Sequence, residues 1–267
     1  MLKTEMRNPA TTHIDQMSTK EMLSVIAAEN YNAARAVEEA IPSITLAVDA
    51  ITEAFKQGGR LFFIGAGTSG RLGILDAVEC PPTYGVPYDM VNGIIAGGPD
   101  CVFRASENAE DLEEKGILDI EKHGVRAGDA VVGISVAGGA AYVVGALKKA
   151  HSLGAVTIAL TCNENTPLEQ VSDICICTDT GAEVITGSTR MKAGSAHKMV
   201  LNMLTTCAMV KVGNVYENMM INLKPTNIKL RKRMIQIVCD ICGCEADEAE
   251  SMLERNGWKI REAIQNK

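Results

Sequence analysis

The chain has 267 residues, 46% of them hydrophobic and 22% charged, with a formal net charge of −7; this is the profile of a globular protein with one large core and room for a small appendage. No apolar run reaches the roughly 18 residues of a membrane span, the first residues lack the apolar stretch of a secretory signal, and the acidic balance argues against nucleic acid as a general partner. Nine cysteines in apolar contexts such as Cys175, Cys177 and Cys207 suit reduced thiols better than a disulfide framework, so a cytoplasmic address is expected.

Ser18 and Glu21 have capping-box spacing and open a helix that runs to about residue 40. Pro42 and Ser43 restart a second, in which Ile44, Ala47, Val48, Ile51 and Phe55 recur at helical spacing. Strand-like runs follow at 61–64, 90–95, 130–135, 156–161 and 174–177, and helical stretches near 70–79, 103–122, 140–152 and 166–171 alternate with them. That alternation predicts a parallel sheet wrapped by helices. Residues 190–212 read as a long buried helix, and the tail from about 225 as charged helices, two short ones flanking Asn256 and Gly257.

The stretch GAGTSGRLGILDAVECPP, residues 65–82, carries a glycine-rich turn from the first strand into a helix. Such a turn aims backbone N–H groups and the positive end of the helix dipole at an anion. Gly65, Gly67 and Gly70 formally match a dinucleotide fingerprint, but the second strand runs into Ala96-Gly97-Gly98 where an acidic ribose ligand belongs. The hydroxyls of Thr68 and Ser69 suit a single phosphate monoester better, a purely structural turn being the plain alternative. Ser188, Thr189 and Arg190, in TGSTRMKAG, enter the long helix and could add donors to the same ligand, because loops at the carboxyl ends of parallel strands converge; the plain alternative there is an ordinary N-cap.

Of the carboxylates, Glu79 lies just before Cys80-Pro81-Pro82, and SENAEDLEE offers Glu107, Glu110, Asp111, Glu113 and Glu114, most of which residue type alone assigns to a solvated helix face. Lys229, Arg231, Lys232 and Arg233 read as another solvated face, a polyanion site being the alternative. Cys239, Cys242 and Cys244 lack a second ligand pair, so buried thiols are expected rather than zinc. His197 reads as a packing residue with contact to the ligand or a partner subunit as the alternative, and Tyr84 and Tyr88 as aromatic packing with pocket lining as the alternative.

Taken in order, EMRNPATTHIDQMST, GAGTSGRLGILDAVECPPTYGVP, GIIAGGPD, AED, EVITGSTRMKAGSAHKMVLNM and GNVYENMMINLKPTN resemble the N-acetylmuramic acid 6-phosphate etherases over nearly the whole chain. The resemblance implies an α/β fold of the sugar isomerase (SIS) type, a flavodoxin-like five-stranded parallel sheet flanked by helices, with N-terminal helices over 1–57, the sugar-phosphate-binding domain over 58–222 and a small helical module over 223–267. That module itself resembles a ubiquitin-associated three-helix domain. It further implies a homodimer, a small-molecule sugar-phosphate substrate, no metal or other cofactor, and no nucleic acid or membrane partner. The implied reaction is cleavage of the D-lactyl ether by elimination followed by addition of water, with Glu110 removing the C2 proton and Glu79 protonating the departing lactate. The implied ligand set is Gly67, Thr68, Ser69, Arg71, Ser135, Glu183, Ser188, Thr189 and Arg190.

One loop departs from the family. Its members continue the third strand as GISASGRTPYV, whereas this chain reads GISVAGGAAYV, with Ala137, Gly139 and Ala140 in place of Ser, Arg and Thr. Losing two hydroxyls and a guanidinium could weaken the grip on phosphate by several kcal/mol, at about 1–3 each. A non-catalytic or weakly active sugar-phosphate-binding regulator is therefore the second reading.

Overall fold

A computed structural model of the chain describes residues 1–104 and 108–266. Three short 3-10 turns, Lys3–Glu5, Pro9–Thr11 and Ile14–Gln16, form a strap that leads into α1 (Thr19–Glu39) and α2 (Ile41–Lys56). Ser18 and Glu21 cap α1 reciprocally, as their spacing predicts. The alternating part comprises β1 (Leu61–Gly65), α3 (Gly67–Tyr84), β2 (Val91–Ile95), α4 (Glu113–Lys122), β3 (Ala130–Ile134), α5 (Ala141–Ser152), β4 (Val156–Thr161), α6 (Pro167–Gln170) and β5 (Ile174–Cys177). Beyond it come α7 (Lys192–Lys211), a small hairpin of β6 (Val215–Tyr216) and β7 (Met219–Met220), and the tail helices α8 (Ile228–Cys242), α9 (Ala246–Arg255) and α10 (Ile260–Gln265).

All five strands are parallel in the order β2-β1-β3-β4-β5, the flavodoxin-like arrangement. Alternation along β1 sends Leu61 and Phe63 to one face, under α2, α3 and α7, and Phe62 and Ile64 to the other, under α4 and α5. A third apolar cluster, built on Met234, Val238, Leu253 and Ile260, joins the tail helices, with Cys239, Cys242 and Cys244 packed in it. Lys229, Arg231, Lys232 and Arg233 are exposed, with Arg231 stacked over Trp258. Among the described residues no helix is long and apolar enough to cross a membrane.

Two expected boundaries move. The stretch 103–122 is not one helix: among its described residues only Glu113–Lys122 is α-helical, preceded by a 3-10 turn at Ala109–Asp111 that begins after Asn108 at φ 65°. Asn is among the few residues that take this left-handed conformation at low cost. Conversely, α3 runs through Pro81 and Pro82 to Tyr84, because burial of Pro81 and Tyr84 holds the last turn and Gly85 closes it with an N–H bond to the Pro81 carbonyl at 2.9 Å.

Candidate active site at the strand tips

α3 leaves β1 toward one face of the sheet and α5 leaves β3 toward the other, so a crevice opens beyond the carboxyl ends of these adjacent strands. A cavity of about 310 Å³ occupies it. Gly67, Thr68 and Ser69 line it from the start of α3 and Ser135, Ala137 and Ala140 from the turn after β3, the opposite wall, and Thr189 and Glu110 also face it.

The first wall offers donors that suit an anion. The hydrogen-bond ladder of α3 starts with Gly70 N–H donating to the Ala66 carbonyl at 3.3 Å, and the N-cap, Ala66, has no side chain to occupy the amides before it. The N–H groups of Gly67, Thr68 and Ser69 are thus left for a ligand, backed by the helix dipole. Gly70 lets the helix start this close: a Cβ there would lie 2.6 Å from both the Gly65 carbonyl oxygen and Ile95.

In the opposite wall Ser135 is buried and its hydroxyl accepts the Gly138 N–H at 3.1 Å. Gly138 sits at φ 72° against Thr166, where any side chain would collide. The Val136 carbonyl accepts from Thr161 Oγ1 at 3.1 Å and Asn163 Nδ2 at 3.0 Å, which pins the turn to the next strand. Ala137 and Ala140 present methyl groups to the cavity, and Gly139 points into open space.

Glu110 reaches the cavity from the Ala109–Asp111 turn, whereas Glu107 lies outside the described residues. Arg71 holds the segment that leads to that turn. Its guanidinium donates to the carbonyls of Cys101 at 2.7 Å, Val102 at 2.8 Å and Arg104 at 3.2 Å, so it clamps backbone and does not line the cavity as expected. Glu79 is also outside: it is exposed on α3, eleven residues beyond Thr68, or about 16 Å along the axis. It shares that face with the exposed Leu75 and Val78, and α7 alongside exposes Met203 and Val210.

The second loop contributes less than its sequence suggests. Of Ser188, Thr189 and Arg190 only Thr189 lines the cavity; the Ser188 N–H is tied to the Ile185 carbonyl at 2.9 Å, and Arg190 is exposed. Glu183 is buried and caps α7, accepting the N–H groups of Ala193 at 2.9 Å and Lys192 at 3.3 Å. Burial raises its carboxyl above the usual range despite those two bonds. It is a structural cap, and the start of α7, unlike that of α3, is not free for an anion. His197 is fully buried beside Cys162 Sγ at 3.3 Å, and burial pushes it down to about 4, so it packs and touches no ligand. Tyr84 is buried with its hydroxyl on Thr206, and Tyr88 is exposed; neither lines the cavity.

One cavity residue carries no role in the sequence reading. Glu5, from the N-terminal strap, lines the pocket beside Gly187. Its signal was its place at the head of EMRNPATTHIDQMST.

Residues 43–151 match the family model of the glucokinase regulatory protein N-terminal SIS domain, and residues 232–266 that of a UBA-like domain. The N-acetylmuramic acid 6-phosphate etherases of Serratia proteamaculans and Clostridium beijerinckii are 48% and 46% identical to the chain over 263 residues, covering 98% of it and 89% and 86% of those proteins. Yersinia pestis has a relative of the same name at 47% identity. Among solved structures, phosphoheptose isomerases from Francisella tularensis and Neisseria gonorrhoeae align with TM-scores of 0.56 and 0.55 at 17% and 18% identity, covering 73% and 72% of this chain and 100% and 98% of those chains. At that identity they show the shared sheet architecture.

Proposed function

The chain belongs to the N-acetylmuramic acid 6-phosphate etherase family, and from that premise we propose that its strand-tip cavity seats the phosphorylated sugar with Glu110 at the reacting carbons and Glu79 of a second copy opposite. The protein is an etherase, a carbon–oxygen lyase acting on N-acetylmuramic acid 6-phosphate; the regulator alternative has no support in these relatives. The phosphate sits at the free amides of Gly67, Thr68 and Ser69, among the hydroxyls of Thr68, Ser69, Ser135 and Thr189. Anchored there, far from the bond that breaks, it turns the meeting of ether and acids into an intramolecular event.

An ether is a poor leaving group until the carbon beside it can lose a proton. In the ring-opened sugar the aldehyde acidifies C2–H, and the C3 oxygen lies beta to it. Glu110 takes the C2 proton, the C2–C3 double bond forms as the C3–O bond breaks, and the lactate oxygen takes a proton from Glu79. Water then adds, its hydroxyl to C3 and its proton to C2, leaving N-acetylglucosamine 6-phosphate and D-lactate.

A second copy enters because α3 carries Glu79 away from its own cavity. The face around it, Leu75 and Val78 with Met203 and Val210 nearby, is apolar and exposed, as a homodimer contact would be. A cytoplasmic setting is part of the proposal; buried thiols such as Cys80 and Cys162, pushed up to about 12 and about 11 by burial, suit a reducing compartment.

The observation that carries the reading is the presence of Glu110 in the same cavity as the three amides of α3 that make no hydrogen bond among the described residues. Its experiment is incubation with N-acetylmuramic acid 6-phosphate in ¹⁸O-labelled water. D-Lactate is released, and the label appears in the sugar and not in the lactate. No release, or label in the lactate, contradicts it.

A further inference from the structure

We infer that Glu5 is a third carboxylate of the site and a specificity-determining residue, accepting a hydrogen bond from a hydroxyl or amide N–H of the sugar; this rests on the etherase reading of the cavity. Glu5 belongs to a strap that docks on the strand tips from far away in sequence. The Lys3 N–H donates to Asn163 Oδ1 at 3.0 Å, and Asn163 Nδ2 donates to the fully buried Thr4 hydroxyl at 3.1 Å. The same amide group holds the Val136 carbonyl at 3.0 Å, so one side chain fixes both the strap and the turn that presents Ser135. Lys3 also pairs with Asp179, and Asn8 Nδ2 reaches the Ala182 carbonyl at 3.2 Å. Anchored on both sides, Glu5 is set against Gly187, with a carboxylate oxygen 3.4 Å from where a Cβ would stand on that glycine.

Among the described residues the cavity lining contains two carboxylates, Glu5 and Glu110, and no lysine or arginine, and neither carboxylate makes a salt bridge. A phosphate dianion is repelled from Glu5 and drawn to the start of α3, so Glu5 marks the sugar end. A carboxylate in such a place binds a neutral donor strongly, because the bond is charge-assisted. Nothing in the elimination requires a third acid, which leaves recognition as its role.

The test is calorimetric binding of two probes, N-acetylglucosamine 6-phosphate and inorganic phosphate, to the full chain and to Glu5→Gln and Glu5→Ala. Glu5→Ala weakens the sugar phosphate about tenfold or more, and Glu5→Gln, which keeps an acceptor oxygen, weakens it less. Inorganic phosphate binds both variants at least as tightly as it binds the parent. Unchanged sugar-phosphate affinity in Glu5→Ala, in a parent that binds both probes, overturns the assignment of Glu5 alone. A gain for inorganic phosphate with no loss for the sugar phosphate would move Glu5 to the phosphate end and also overturn it. A parent that binds neither probe overturns it together with the reading of the cavity.

Discussion

Glu110 lines the strand-tip cavity, whereas Glu79 stands on the exposed face of α3, eleven residues beyond Thr68. A glutamate side chain spans about a third of the roughly 16 Å that separates those helical positions. The two acids to which the proposed elimination gives the C2 proton and the departing ether oxygen are therefore held by elements that diverge within a single chain.

Thr68 and Arg71 lie three residues apart on the same helix and do different work. Thr68→Val removes a cavity hydroxyl and raises KM about three- to tenfold with kcat little changed, the net value of one hydrogen bond. Arg71→Lys loses the fork that spans the carbonyls of Cys101, Val102 and Arg104. It lowers kcat, through a loosened Glu110 segment, and leaves inhibition by inorganic phosphate intact. Steady-state kinetics with phosphate as competitor separates the two; equal loss of phosphate affinity in both would return Arg71 to the ligand set.

The methyl-lined turn after β3 is a place where this chain can be improved. Ala137 and Ala140 face the cavity, and a side chain at Gly139 meets no atom within 4 Å of its Cβ. The combined variant Ala137→Ser, Gly139→Arg, Ala140→Thr restores two hydroxyls and a guanidinium without a clash at Gly139. KM for the sugar phosphate falls by about tenfold or more. A rise in KM would mean that the substrate's phosphate does not reach this turn.

How much of this could be read from residues alone divides by sequence distance. The strands were legible because they are short apolar runs between turn signals, β1, β3 and β4 being almost wholly buried, and the amide cradle was legible because glycines, hydroxyls and helix start are contiguous. Arg71, Glu183 and Glu5 were not. Arg71 spends its charge on carbonyls 30 and more residues away, and Glu183 on the first amides of a helix that begins nine residues on. Glu5 is delivered by a strap whose anchor, Asn163, lies about 160 residues downstream. The 103–122 segment misled for a local reason: its polar, acidic pattern fits a helix, but Asn108 turns left-handed and sets Glu110 on a separate turn.

Stability gives a pH signature beneath Glu79. Asp76 is buried one turn earlier on α3, where it accepts a bond from Asn202 Nδ2 at 2.5 Å, while its second oxygen has no partner among the described residues. Burial raises its carboxyl above the ordinary 3.8. A raised carboxyl binds its proton more tightly in the folded chain than in the unfolded one, so ionisation costs stability as pH rises through the folded value. Asp76→Asn keeps the acceptor and removes the charge. Its Tm exceeds that of the parent by a few degrees at neutral pH, and the gap closes toward about pH 3. His197 has the opposite sign, its depressed value costing stability as pH falls from about 6.5 toward 4, but it is common to both proteins and cancels in the difference. A gap that does not change with pH would contradict the assignment.

The most direct measurement mixes two inactive proteins. Glu79→Gln and Glu110→Gln each lose about a hundredfold or more in D-lactate release, as loss of a general acid or base requires. When the two variants are unfolded together and refolded, half of the dimers carry one chain of each kind. In such a dimer one cavity regains an intact Glu110 from its own chain and an intact Glu79 from the other. Activity returns to about a quarter of the parent's if the acids meet across two copies. A mixture no more active than either variant alone would show that each chain supplies both acids to its own cavity, or that no such dimer forms.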